Sequence, residues 1–76
     1  MEKHDLHHEF PEMEQKIHDL KTSDNHFRKL FDEYHDINKQ IQGIETGAEA
    51  VSDEFLNQLR ISRVRLKDEL YAILSA

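Results

Sequence analysis

The sequence predicts an all-α fold, an antiparallel helical hairpin of the coiled-coil kind with a short N-terminal helix. Two apolar stripes carry this prediction. Phe27, Leu30, Tyr34, Ile37, Ile41 and Ile44 recur at alternating spacings of three and four. Phe55, Leu59, Leu66, Leu70 and Ile73 do the same, with Arg63 in the slot between Leu59 and Leu66. That spacing keeps apolar side chains on one side of a helix, where they bury against a second helix. The third observation is the segment between the stripes, which is short and holds Gly47, so the two helices fold back on each other.

Each element has a local reason. Residues 1–9 are polar and rich in histidine, with Leu6 the lone apolar residue after Met1, and are expected to form a flexible segment. Residues 10–76 are expected to form a single helical domain. Phe10-Pro11-Glu12 reads as a helix start, because proline is favoured at the first helical position and an acidic residue there suits the helix dipole. Met13, Ile17 and Leu20 continue a stripe, which gives a first helix over about 11–21. Thr22-Ser23-Asp24-Asn25 is a run of capping residues, so the next helix begins near residue 24 and runs to about 46. The alternative is one unbroken helix over 11–46, because Met13, Leu20, Phe27, Tyr34 and Ile41 share a seven-residue period. Gly47 ends this helix in the left-handed conformation that glycine tolerates. Ser52 caps a last helix over about 52–74, with Asp53 and Glu54 in its first turn.

Antiparallel pairing fixes a register. With Ile44 near Phe55, Ile41 meets Leu59, Tyr34 meets Leu66, Leu30 meets Leu70 and Phe27 meets Ile73, while Ile37 faces Arg63. Arg63 can pair with Asp36 or Glu33, or lay its stem over Ile37 with its head in water. The last helix has more apolar surface than one partner needs. Leu56, Val64, Tyr71 and Leu74 extend its stripe beyond the hairpin seam, and Ile61 lies further round. Exposed apolar surface of this kind marks interaction sites, so these four residues are the expected partner interface, most simply of a homodimer.

Composition narrows the function. A chain of 76 residues buries a small core, and zero cysteines exclude disulfides and thiolate zinc sites, which leaves helix packing and self-association as sources of stability. Mean hydropathy is −0.83 and 34% of residues are charged, but the apolar residues are patterned, unlike those of a disordered chain. Sixteen Asp and Glu against ten Lys and Arg give a net charge of −6, which disfavours nucleic-acid backbones and anionic membranes. No apolar run approaches the roughly 20 residues that span a bilayer, and no signal-peptide core follows Met1, so a cytoplasmic protein is expected.

Chemical motifs are sparse. His4, His7 and His8 sit at helical spacings, with Asp5 and Glu9 beside them, and such imidazoles can bind zinc or nickel. A solvated tail is the preferred reading of these residues, and no metal or cofactor is assigned. His18, His26 and His35 read as surface or boundary residues. Arg60, Arg63, Arg65 and Lys67 form a basic cluster that a nucleic-acid accessory factor would use, but Asp68, Glu69 and the acidic residues of the neighbouring helix offset it. The sequence holds no glycine-rich phosphate loop, no HExxH and no cysteine nucleophile, and no catalytic residue is assigned.

Phe10-Pro11-Glu12, Ile17-His18-Asp19-Leu20-Lys21, His26-Phe27 and Leu66-Lys67-Asp68-Glu69-Leu70 together resemble the YdcH-like family of small bacterial proteins. The resemblance runs from Leu6 to Leu74. It implies a small helical protein with coiled-coil character, and no activity, since the family's function is unknown. Within the Lys67-Asp68-Glu69-Leu70 stretch, Leu70 is a seam residue and Lys67 can bridge to Glu33 across the hairpin. The expected function is a non-enzymatic protein–protein interaction module that self-associates or docks through its last helix. The alternatives are a metal-responsive protein using His4, His7 and His8, and a nucleic-acid accessory factor using the basic cluster.

Overall fold

Capping chemistry sets the helix boundaries. In the computed structural model, which describes residues 6–76, the chain forms a single turn of helix α1 (Leu6–Glu9), a 3₁₀ turn (Pro11–Met13) and then α2 (Glu14–Ser23), α3 (Asn25–Glu45) and α4 (Asp53–Leu74). Helices α2 and α3 are separated by a single extended residue, Asp24. Its backbone N–H closes α2 by donating to the Leu20 carbonyl, and its carboxylate opens α3 by accepting from the Phe27 N–H at 3.1 Å. The hydroxyls of Thr22 and Ser23 both donate to the Asp19 carbonyl, which gives the last turn of α2 partners other than a continuing helix. The seven-residue period that favoured a continuous helix is overridden by these local hydrogen bonds.

At the other end of α3, Gly47 adopts φ +83°. Its N–H bonds to the Ile44 carbonyl, and that of Ala48 reaches back to the Gly43 carbonyl at 2.9 Å, the paired arrangement that closes many helices. Ser52 caps α4 by accepting from the Phe55 N–H at 3.1 Å. Helices α3 and α4 lie against each other as antiparallel rods, each about 31–33 Å long at ~1.5 Å per residue. That length accounts for most of the 37 Å long axis of the molecule.

The core sits at one end of the hairpin. Leu6, Ile17, Phe27, Leu30, Tyr34, Leu66, Leu70 and Leu74 form one buried cluster drawn from α1, α2, the first half of α3 and the second half of α4. Phe10, Met13, Leu20, Phe31, Ile37 and Ile73 pack around it. We call this end the base. The other end, the stem, has α3 and α4 alone, and Ile41 is buried there outside the main cluster. Phe55 was expected opposite Ile44 in the seam but stays 46% exposed, because no third layer reaches that end.

Residues 1–5 lie outside the described part. Leu6–Glu9 was expected to belong to a flexible segment. Instead it is folded as a helical turn, with Leu6 buried in the main cluster. The physical reason is the one apolar side chain in that stretch, which the base provides a place to bury.

Candidate protein interface

The arrangement of α4 follows from its periodicity. Leu66, Leu70 and Leu74 are spaced by four, so each lies about 40° further round the axis than the last. The apolar stripe therefore turns away from α3 toward the first two helices, and Leu74 ends 1% exposed in the core. Leu74 was expected at a partner interface, but the chain's own third layer takes it. Leu56, also expected there, is half-buried beside the stem seam.

Val64 and Tyr71 have a different fate. Val64 lies about 160° round the helix from Leu66, on the side away from α3, and Tyr71 lies within about 20° of Val64. They are 58% and 45% exposed. Ile61, flanking Val64 one turn earlier, is 54% exposed. These three form an apolar strip on the outer face of α4, and Ile61 is the member that the seam-based reading placed too far round to include.

The N-terminal segment reaches one rim of this strip. The Phe10 ring stacks on Tyr71 with centroids 5.1 Å apart, and Lys67 Nζ lies 2.9 Å from Glu9 Oε2 and 5.8 Å from the Phe10 ring centre. Lys67 was expected to bridge to Glu33. It pairs with Glu9 because α1 packs against the second half of α4. The Phe10-Pro11 start and the Lys67-to-Leu70 stretch, far apart in the chain, thus meet at one edge of the molecule. An aromatic stack adds about 0.5–1.5 kcal/mol beyond burial, and a part-exposed ion pair about 1 kcal/mol at most.

The basic cluster is partly neutralised. Arg60 bonds to Glu45 at 3.1 Å across the stem, and Lys67 is held by Glu9. Arg63 is half-buried in the seam, and among the described residues it makes no ion pair with Asp36 or Glu33. Arg65 is exposed on the outer side.

The histidines are dispersed. His4 lies outside the described residues. His7 is half-buried, its ring edge-on to Phe31 with centroids 6.4 Å apart, and His8 is exposed. His35 stacks on Phe31 with centroids 6.2 Å apart, and Lys21 Nζ sits 4.4 Å from the centre of the same ring. An open depression of about 440 Å³ is lined by His7, Pro11, Glu12, Glu14, Gln15 and His18. Among the described residues no group of three or more His, Asp or Glu is placed to hold a metal ion. None of the described helices is long and apolar enough to cross a membrane. What the outer face of α4 can do is contact chemistry: it can bury apolar surface against another helix.

A family model described as a protein of unknown function (DUF465) matches residues 27–74, the whole of the hairpin apart from the start of α3. No curated protein and no solved structure matches the chain.

Proposed function

Since the chain belongs to the DUF465 family, small bacterial YdcH-like proteins of unknown function, we propose that it is a non-enzymatic protein–protein interaction module acting through the outer face of α4. One observation carries this reading. Helix α4 already buries one full side in its own chain, yet Ile61, Val64 and Tyr71 expose an apolar strip on the opposite side. Apart from the Phe10 stack on the rim of Tyr71, the fold leaves that strip uncovered, and apolar surface left on a small domain marks a contact site. A cytoplasmic location goes with this reading, in keeping with a chain that has no cysteine to oxidise.

A photo-crosslinking residue introduced at Val64, and separately at Gly43, tests it in the native cell. Gly43 lies on the outer side of α3, where a side chain would meet nothing within 4 Å. The expected result is discrete protein adducts from position 64 and none from position 43. Equal labelling from both positions, or none from either, would remove the proposal.

A further inference from the structure

Resting on that reading, we infer that the α4 face is covered by a second copy of this chain, its α4 antiparallel to the first about a two-fold axis near residues 66 and 67. Charge and register select this pairing. In an antiparallel two-fold pair, each flank of the helix meets the same flank of its copy, reflected about the axis. One flank of the apolar strip carries Arg65 and Asp68. Both are exposed, and among the described residues neither is in an ion pair. Reflection about the axis sets Arg65 of each chain beside Asp68 of the other, giving two cross-chain ion pairs. The same register brings Val64 of each chain to within about two residues, ~3 Å along the axis, of the Tyr71 ring of the copy, twice.

The other flank carries Arg60 and Lys67, and Lys67 meets its own copy at the axis. Like charges there would repel, but Glu9 holds Lys67 at 2.9 Å, while Arg60 lies away from the axis and is held by Glu45 at 3.1 Å. The chain thus neutralises Lys67, the cation that would meet its own copy, and leaves unpaired the two charges on the flank where they match. A parallel pair does the reverse. It sets Arg60 of one chain beside Arg65 of the other, five residues apart, where coiled coils place their flanking charge contacts.

The overlap of the two helices is short. With the axis at residues 66 and 67 the two α4 helices overlap over residues 59–74, about 24 Å, which is less than a standard specific interface, so the dimer is expected to be weak and to form toward the upper end of the concentrations below.

Sedimentation equilibrium of the full chain from micromolar to millimolar concentration tests this. The expected mass rises from 9.1 kDa to twice that value. Val64→Asp should abolish the rise while leaving helical circular dichroism unchanged, since Val64 contributes little to the fold. Arg65→Glu and Asp68→Arg should each weaken association about tenfold or more, and the double variant should recover most of it. A chain that stays at 9.1 kDa throughout, a dimer indifferent to Val64→Asp, or a double variant no better than the singles would each overturn the pairing. Discrete adducts to a different protein from position 64 of a strictly monomeric chain would leave the α4 face as a docking site and remove only the second copy as its occupant.

Discussion

The two ends of the hairpin are built from the same pair of helices but are not equally filled. At the base, α1 and α2 add a third layer over α3 and α4, and Phe27, Ile17 and Leu70 lose all contact with water. In the stem, the pair stands alone. Ile41 is covered, but Ile44, Leu56 and Leu59 are half-buried and Phe55 is exposed by nearly half. What closes the stem on one side is an ion pair, Arg60 to Glu45, rather than apolar cover. The lesson is that a stripe of adequate periodicity supplies only as much burial as the layers that meet it.

Substitutions at the two ends test this contrast. Phe27→Ala removes a fully buried ring from the base, at a cost of about 3–5 kcal/mol, which is most of the stability a chain of this size holds. Thermal or urea denaturation should show the chain largely unfolded at 37 °C. Ile44→Ala, in the stem, removes a half-buried side chain and should cost only about 1–2 kcal/mol by the same reasoning. Equal losses at the two positions would contradict the layered account.

Gly43 offers a gain instead of a loss. It sits inside α3 with open space around it, and its carbonyl, which accepts from the Ala48 and Glu49 N–H groups, is kept in alanine. Gly43→Ala should therefore stabilise the stem by about 1 kcal/mol, a rise in melting temperature of about 4–8 °C for a domain of this size. The smallest effect is expected from Lys67→Gln, which frees Glu9 at the rim of the base. The cost should be about 1 kcal/mol or less, seen best as faster amide exchange in Leu6–Glu9 with the hairpin unchanged.

Much of this was legible residue by residue. The capping role of Asp24, the end of α3 at Gly47 and the Ser52 cap follow from side chains acting within a few residues of themselves, and local chemistry of that kind is written in local sequence. The stripe from Phe27 to Ile41 and the pair Leu66 and Leu70 follow from helical periodicity in the same way. Leu74 could not be assigned so. Its angle on the helix takes it off the α3 seam, and only the position of the third layer decides whether it meets core or water. Leu6 was missed for a related reason, since one apolar residue in a polar run has no period to announce its burial. Lys67 was given the wrong partner because the nearest acid across a hairpin is not the nearest acid in a three-layer base.

Residue order alone specified the caps at Asp24, Gly47 and Ser52, the apolar side of α3 and α4, and the reversal of the chain at Gly47. These depend on contacts a few residues apart, which the order of residues specifies directly. Long-range packing placed α1 and α2 over one end of the hairpin, so that Leu74 is claimed by the core while Ile61, Val64 and Tyr71 are left partly facing water. That choice depends on where segments distant in the chain come to rest, and periodicity within one helix carries no record of its neighbours.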